Sequence, residues 1–536
     1  MSKKVIRVAV IDDGINEKLY NISDLEYNIE ITSSLEINKR EDYNPYSASH
    51  GTTCAAIICK YAANVILSSV KILNNNCVAI KEQLIKAIEW CIDNSINIIN
   101  LSLGTINYKD FSSLKKVINI AYEKGVIIVA ACNNSNVFTY PASHTNVIGV
   151  RCDRNDLLDE GELIYNYYAF DGIEITACGK HLLHLRTGEN KYTKPTNSYS
   201  APLITAIIYN ILSEQNSKMQ LKYIKEKLKE KSKSEILIDY KNYLCHNVDW
   251  LDNPAIFMLG KNSNCYIPDI FSNIFSVDCI DEQTGLKYIM EFWSSYQGAL
   301  PNSTVICVDK SMQMAEHEVL CDFFEFLCSM NINVVYINDK CRNENILLKD
   351  TTYDFKIWHP VSSKLFLNNS EICGEIDNPI ILIFNNTNKP LNRILYKLLN
   401  LFSKDGYNAV AASNKCDGIL SSIEYIDVSS IRALNLINKT YNPDLILLGI
   451  DLVIENSDID IIKQIENAYD IDIRIFITDT NINSKSNVEH LNDDIFLFWN
   501  EEECIDVSNE NQNVFMYNDE SVESLYSHII NIYSIE

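Results

Sequence analysis

The segment VAVIDDGI, residues 8–15, begins with four apolar residues, which are followed by two acids, a glycine and an isoleucine. An uninterrupted apolar run of this length predicts a strand that is buried on both faces, as in a parallel sheet. Gly14 supplies the turn signal that ends the strand, so we expect Asp12 at its carboxyl end. Ligands bind open α/β sheets at that edge. The segment therefore predicts an α/β fold with a carboxylate at its functional edge.

Two later segments each bring one reactive side chain to the predicted start of a helix. SHGTTCAAII, residues 49–58, carries His50, and TNSYSAPLITAII, residues 196–208, carries Ser198. The positive end of a helix and its free N–H groups favour a negative charge, such as the oxyanion formed when a carbonyl is attacked. Taken alone, an Asp after an apolar strand is more often a helix or turn cap than a catalyst, and a Ser before Ala-Pro is usually an N-cap. Their combination in one chain favours nucleophilic catalysis.

The order Asp12, His50, Ser198 resembles the catalytic triad of the subtilisin family, or subtilases. Chymotrypsin-like proteases have the order His, Asp, Ser, and α/β-hydrolases have Ser, acid, His. The resemblance implies a subtilisin-like parallel sheet flanked by helices over residues 1–215. It also implies a serine endopeptidase in which Ser198 attacks the peptide carbonyl, His50 transfers the proton and Asp12 orients the imidazole. The resemblance implies no cofactor and no metal in this chemistry.

Further motifs extend the resemblance. INIINLSLGT, residues 96–105, resembles the family's edge strand, which implies that Ser102, Leu103 and Gly104 lie beside a bound peptide. VIIVAACNNSN, residues 126–136, resembles the strand that ends in Ala-Ala-Gly-Asn, which places Asn133 at the oxyanion and Ala130 and Ala131 beside the substrate. Tyr140-Pro141-Ala142 and Ala177-Cys178-Gly179 match later family motifs.

Three positions depart from the family pattern. Asp13 replaces a Ser or Thr after the acid, although side chains that follow one another on a strand point to opposite faces, so Asp13 need not crowd Asp12. Cys132 replaces the glycine before Asn133, and Thr196-Asn197 replace Gly-Thr before Ser198. These changes concern the pocket wall and the serine turn.

Composition indicates a cytoplasmic protein of several domains. The chain has 536 residues, 47% of them hydrophobic, and can bury more than one core. The 17 cysteines are odd in number and many lie in apolar runs, which predicts buried free thiols in a reducing compartment. The sequence contains no CxxC pair with a histidine partner, the pattern that would indicate a zinc site. No signal sequence or pro-segment precedes the first strand, so we expect an intracellular protease.

Charge and hydropathy restrict the partners. The formal net charge of −25 disfavours nucleic acid and anionic membrane, and would attract a cationic peptide if it does more than keep the protein in solution. The longest apolar stretches are far shorter than a membrane span. We therefore expect a peptide or protein substrate, and the sequence does not indicate an oligomeric state.

Three segments follow the protease. Residues 216–239 are rich in Lys and Glu with apolar residues at helical spacing, which predicts a closing helix and a helical linker. Residues 240–375 contain a strand, helix, strand pattern typical of an α/β domain, without a role that the sequence identifies. Residues 376–536 resemble a degenerate P-loop or Rossmann-like domain. The loop after residue 384 lacks the glycines that expose phosphate-binding amides, so we predict that nucleotide binding is lost.

The additional domains and the cytosolic setting suggest a processing enzyme. Such a protein resembles the subtilases that are encoded with ribosomally made, modified peptides and remove a leader segment. The alternative is a scaffold that holds a precursor peptide or a maturation enzyme in the same groove without cutting it.

Overall fold

The computed structural model divides into two compact units, Met1–Asn242 and Tyr243–Glu536. It describes residues 5–20, 22–214, 220–233, 241–261, 265–296, 301–340, 355–368, 376–387, 389–426, 432–452, 463, 465–478, 494–498, 514–516 and 519–535. Within these ranges, no helix is long and apolar enough to cross a membrane.

The first unit is built on a sheet of nine strands within its described residues, in the order β3-β2-β4-β1-β5-β6-β7-β9-β8. Its central part is parallel, and only the pairs β2–β3 and β8–β9 are antiparallel. The strands are β1 (Arg7–Asp12), β2 (Tyr27–Ile31), β3 (Ile37–Lys39), β4 (Ile66–Lys71), β5 (Ile98–Leu101), β6 (Ile127–Ala131), β7 (Ile148–Cys152), β8 (Leu163–Tyr165) and β9 (Ile175–Ala177). A separate hairpin consists of β10 (Leu182–His184) and β11 (Asn190–Tyr192).

The predicted strand after residue 7 is confirmed, since β1 lies between β4 and β5 and five of its six residues are buried. The helices of this unit are α1 (His50–Tyr61), α2 (Lys81–Asp93), α3 (Phe111–Glu123), α4 (Asn197–Ser213) and α5 (Leu221–Glu230). Apolar side chains of α1 and α4 join those of β1 and β6 in one core. The subtilisin-like α/β fold expected from the sequence is therefore present.

One detail of this unit differs from the sequence analysis. The segment expected to be a family edge strand forms β5, which lies inside the sheet between β1 and β6. Three of its four residues are apolar and the fourth is an asparagine, and all four are buried, as expected for an interior strand. Within residues 216–239, Leu221, Ile224 and Leu228 of α5 are buried in the same core as the sheet, in agreement with the closing helix predicted there. That helix is thus part of the first unit.

The second unit contains two sheets whose strands all pair in parallel within the described residues. The first has the order β13-β12-β14-β15-β16 and comprises β12 (Ala255–Leu259), β13 (Ile274–Val277), β14 (Ser303–Val308), β15 (Asn333–Ile337) and β16 (Ile357–Trp358), with α6 (Glu282–Ser295), α7 (His317–Ser329) and α8 (Pro360–Asn368). The strand, helix, strand pattern predicted there is β14, α7 and β15.

The other sheet has the order β19-β18-β20-β17-β21-β22-β23. It comprises β17 (Ile380–Asn385), β18 (Ala409–Ser413), β19 (Glu424–Tyr425), β20 (Leu445–Asp451), β21 (Ile473–Thr478), β22 (Ile495–Phe498) and β23 (Val514–Met516), with α9 (Leu391–Asp405), α10 (Arg432–Tyr441) and α11 (Asp519–Ile535). The central strand β17 pairs with β20, so that Asn385 lies opposite Asp451 at the carboxyl ends of both strands.

Candidate active site

Asp12 ends β1 at the carboxyl edge of the first sheet, and its side chain is fully buried. Its carboxylate contacts Nδ1 of His50 at 2.9 Å and 3.0 Å, and it accepts the N–H of Asp13 at 2.8 Å. Burial raises the pKa of Asp12, while the contact with His50 opposes that rise. A buried carboxylate paired with an imidazole is the arrangement that orients a histidine for proton transfer.

Asp13 caps the helix that carries the imidazole. Its carboxylate accepts the backbone N–H groups of His50 at 2.9 Å and of Gly51 at 2.7 Å. The positive end of α1 favours an anion at this place. The departure from the family pattern therefore has a local reason, since Asp13 holds the start of α1 against the end of β1. Its charge raises the pKa of Asp12 less than burial does.

His50 is the first residue of α1, after the N-cap Ser49. Its ring stacks on the ring of Tyr199 with centroids 5.2 Å apart, and Cys54 Sγ lies 3.9 Å from its Nδ1, one helical turn onward. Burial lowers the pKa of His50, but the neighbouring Cys54 and the Asp12 carboxylate raise it by more. Because burial also raises the pKa of Cys54, that thiol stays protonated at neutral pH and the carboxylate is the charge that favours the imidazolium.

Ser198 lies in the first turn of α4. Pro202, four residues onward, has no N–H, so the carbonyl of Ser198 lacks its helical donor. The hydroxyl of Ser102 donates to that carbonyl at 2.8 Å, and Cys54 Sγ approaches it at 3.7 Å. In return, Oγ of Ser198 donates to the carbonyl of Ser102 at 3.4 Å.

The described residues include no hydrogen bond between Ser198 Oγ and His50 Nε2. The two side chains nevertheless share neighbours, because Cys54 lies beside both His50 and the Ser198 carbonyl. The structure thus brings the three predicted residues to one edge of the sheet with an acid–histidine contact and with the serine hydroxyl turned to Ser102. Catalytic hydrogen bonds often tighten only when substrate binds.

Asn133 follows β6 and is half-buried. Its Oδ1 accepts the N–H of Ser135 at 2.5 Å, and its own N–H donates to Thr139 Oγ1 at 3.1 Å. Among the described residues, its Nδ2 donates to no protein atom, so this amide group is available to an incoming oxygen. Its carbonyl accepts Nδ2 of Asn197 at 2.7 Å.

The predicted substrate segment Ser102, Leu103 and Gly104 comes directly after β5 and leaves the sheet. Thr105 then pairs with Tyr140 in an isolated antiparallel bridge. A Cβ at position 104 would lie 2.6 Å from the Tyr140 carbonyl oxygen, so the bridge requires glycine there.

The structure buries Ala130 and Ala131 inside the sheet, with 0% and 4% of their surface exposed. Their predicted contact with substrate remains a prediction.

Sequence reasoning missed Cys54, Tyr199 and Asn197 as neighbours of the reactive groups. The first two could have been found, because Cys54 lies one helical turn after His50 and Tyr199 follows Ser198 directly. The sequence shows Asn197 only as a departure from the family pattern. Its contacts join segments that are far apart in the chain, which no local pattern indicates.

Donor atoms of Asp12, His50 and Cys54 all lie within 4.8 Å of one another, a grouping that a metal ion could also use. Both oxygens of Asp12 already contact His50 Nδ1, which favours the acid–histidine pair. The 14 cysteines that the structure describes are free thiols.

Known proteins resemble this amino-terminal part. Residues 3–249 match the model of the subtilase family. Subtilisin DY of Bacillus licheniformis is 29% identical over 160 residues, which cover 27% of this chain and 55% of that protein. A thermophilic serine proteinase of Bacillus sp. (strain AK1) is 27% identical over 237 residues, covering 42% of this chain and 56% of its own. The chain thus spans about half the length of these two curated relatives.

Solved structures also match. One is a lanthipeptide protease with 16% identity and a TM-score of 0.33, covering 41% of this chain and 79% of its own. A likeness this distant says nothing about the substrate of the present chain. The family match and the relatives support the subtilisin-like serine protease family for the first unit.

Proposed function

We propose that the first unit is a serine endopeptidase that hydrolyses peptide bonds with Asp12, His50 and Ser198. The observation that carries the proposal is the 2.9 Å contact between the buried Asp12 carboxylate and Nδ1 of His50, at the sheet edge where α4 presents Ser198. The family match over residues 3–249 supports the same reaction.

The mechanism follows from the tautomer that Asp12 selects. An ionised Asp12 accepts a hydrogen bond from Nδ1–H of His50 and so holds the neutral imidazole in the tautomer whose Nε2 lone pair is free to take the proton of Ser198. The hydroxyl of Ser198 turns from the Ser102 carbonyl to Nε2 and attacks the scissile carbonyl. Nδ2 of Asn133 donates to the oxyanion that results. His50 then delivers the proton to the leaving amine, which leaves an acyl-enzyme ester on Ser198. Water, deprotonated by Nε2 of His50, attacks that ester, and the proton returns to Oγ of Ser198 as the acid product leaves. No step requires a cofactor or a metal.

A fluorophosphonate probe tests the nucleophile. Full-length wild type is expected to be labelled and Ser198→Ala to be unlabelled, while His50→Ala is labelled slowly because Nε2 no longer removes the proton. Ser200→Ala is the matched control, since Ser200 lies in the same turn and donates to the Ala177 carbonyl at 3.0 Å. Equal labelling of wild type and Ser198→Ala, or labelling of neither, contradicts the proposal.

A non-catalytic scaffold is the second candidate, and one observation favours it. Oγ of Ser198 donates to Ser102 rather than to His50. In a scaffold this arrangement would persist, and the groove would hold a precursor peptide or a maturation enzyme without cutting it. Absence of labelling in folded wild type, together with peptide binding, would support this candidate.

We further propose that the substrate is a specific precursor peptide in the cytoplasm, from which a leader is removed. A second unit larger than the protease supports selective recognition, because remote contacts can be used to orient one scissile bond. The net charge of −25 favours a cationic peptide over nucleic acid or an anionic membrane as partner. Full-length protein should cleave one precursor peptide from its own cell much faster than casein. Rapid, indiscriminate digestion of casein would refute this restriction.

For the second unit we propose two domains, residues 240–375 and 376–536, each with its own sheet. The latter is P-loop-like or Rossmann-like in shape and has lost nucleotide binding. In the loop after β17, backbone N–H groups donate to side chains of the same loop. The N–H of Thr387 donates to Oδ1 of Asn385 at 3.3 Å, and the N–H of Lys389 donates to Oγ1 of Thr387 at 3.1 Å. Amides engaged in this way do not wrap a phosphate.

A further inference from the structure

Two of the positions that depart from the family pattern contact each other. Cys132 replaces a glycine and Asn197 replaces a threonine, 65 residues apart in the chain. Nδ2 of Asn197 lies 3.1 Å from Sγ and 3.3 Å from the carbonyl oxygen of Cys132. The two changes therefore form one local arrangement.

The side chain of Asn197 is fully buried and joins the ends of two neighbouring strands. Its Oδ1 accepts the N–H of Cys152, the last residue of β7, at 2.8 Å. Its Nδ2 donates to the carbonyl of Asn133, just beyond β6, at 2.7 Å, and lies 3.2 Å from Oδ1 of Asn136. An amide has one acceptor oxygen and two donor hydrogens, and these contacts engage the oxygen and both hydrogens.

We propose that Asn197 is a positioning residue that fixes both oxyanion donors of the reaction. It precedes Ser198, whose backbone N–H lies in the first turn of α4, has no acceptor within that helix and would be one donor. It also holds the backbone of Asn133, whose side-chain amide would be the other donor. The inference rests on the proposed peptidase function. A buried amide linked to both strands sets the distance between the donors before the substrate arrives.

This role follows from what the reaction demands. Donors stabilise an oxyanion only when they lie about 3 Å from the place where its charge develops. A displacement of about 1 Å can lower a rate on the order of 100-fold. The substrate side chains bind elsewhere along the groove, so a misplaced donor slows the chemical step and leaves ground-state binding nearly intact.

The test measures covalent labelling by the fluorophosphonate probe as a function of probe concentration. Asn197→Asp has the same size, but it replaces the N–H donors with an oxygen that faces two carbonyl oxygens. We expect its maximal labelling rate to fall about 10- to 100-fold while the half-saturating probe concentration changes less than about two-fold. Affinity for a peptide boronic acid, whose adduct is tetrahedral, should fall by the same factor as the labelling rate.

Two controls keep the test decisive. Ser200→Ala, in the same turn of α4, should leave both constants unchanged. If Asn197→Asp does not fold, as judged by circular dichroism and thermal melting, Asn197→Ala is measured instead, because it removes every hydrogen bond of the side chain without adding a charge. Unchanged labelling and boronate affinity in a folded variant would overturn the inference alone. Unlabelled wild type would overturn the proposed function and this inference with it.

Discussion

Asp12 in the first unit and Asp451 in the second occupy equivalent places and behave differently. Both end a buried strand of a parallel sheet, and both carboxylates are buried. Asp12 contacts His50, whose side chain is 30% exposed, whereas Asp451 lies 3.7 Å from Lys415, whose side chain is only 8% exposed. We call the sheet edge at Asp12 the open edge, because the partner of its carboxylate reaches solvent. We call the sheet edge at Asp451 the closed edge, because the partner of its carboxylate is buried.

The closed edge is a cluster of charges around one cation. Lys415 Nζ lies 3.5 Å from Asp339 and 3.7 Å from Asp451. Burial lowers the pKa of Lys415, but the carboxylates of Asp339, Asp417 and Asp451 raise it by more, so the lysine is charged. Lys415 therefore offsets part of the negative charge of the acids at this edge, two of which lie 3.5 Å and 3.7 Å from its Nζ.

The largest expected effect is the difference in peptidase activity between variants of Asp12 and Asp451. Asp12→Asn should lower kcat for peptide cleavage on the order of 10⁴-fold, because an amide no longer selects the tautomer that leaves Nε2 of His50 free. Asp451→Asn, the matched change at the closed edge, should retain nearly all activity. Comparable losses in both variants, measured on the same peptide, would show that the second edge takes part in the reaction.

Removing the Lys415 cation from the closed edge should lower the stability of the protein and leave its peptidase activity unchanged. Lys415→Met removes the cation that faces two buried carboxylates and the partly buried Asp339, and should lower the free energy of unfolding by about 3 to 5 kcal/mol. Lys439→Met, on the exposed surface of α10, is the control and should change it by less than about 0.5 kcal/mol. Denaturant unfolding of the full-length protein measures both variants. Equal stability would mean that the cluster is hydrated and weak.

At the open edge, Asn133→Ala should lower kcat about 10²- to 10³-fold with little change in KM, because the amide contacts charge that exists only in the transition state. Asn134→Ala, at the exposed next position, should leave both constants unchanged. A large rise in KM at constant kcat would assign Asn133 to substrate binding instead.

The closed edge should also respond to pH through Asp417. Burial raises the pKa of Asp417 to about 6 from its ordinary value of 3.8, although Lys415 opposes the rise. The folded state therefore holds this proton more tightly than the unfolded state, so its stabilising contribution is complete below pH 3.8 and is lost as the pH rises through about 6.

In wild type, we expect the free energy of unfolding to fall by roughly 2 to 3 kcal/mol between pH 4 and pH 7 because Asp417 loses its proton. Asp417→Asn has no proton to lose at this position and should not show that fall. Asp470→Asn, at an exposed position, should leave the pH dependence as in wild type. A steeper fall of stability with pH in Asp417→Asn than in wild type would reverse the sign of the argument.

The smallest expected effect is on nucleotide binding. ATP or GTP with Mg²⁺ should give no heat of binding to full-length protein at micromolar concentrations, because the loop amides and Asp451 are engaged within the protein. Lys415→Met frees the carboxylates but not the loop amides, so it should not restore binding. Micromolar binding by wild type would overturn the proposed loss of nucleotide binding.

Much of the open edge could be predicted from local pattern. The apolar run before Asp12 fixed β1, and the residues around His50 and Ser198 placed both at helix starts, where the structure has them. The position of β5 inside the sheet could not be predicted, because a buried strand has the same apolar pattern in the interior as beside a ligand. The catalytic roles themselves stay predictions until the variants are measured.

The sequence by itself determined the fold class of the first unit and the identity of its candidate reactive residues, since both depend on short segments with their own periodicity and order. Only the tertiary structure decided what surrounds those residues. Asn197 meets Cys132 and Cys152, and Lys415 meets Asp339, across 45 to 76 residues of chain. Such contacts depend on how strands are ordered in a sheet, and strand order is set by packing of the whole core rather than by any local stretch.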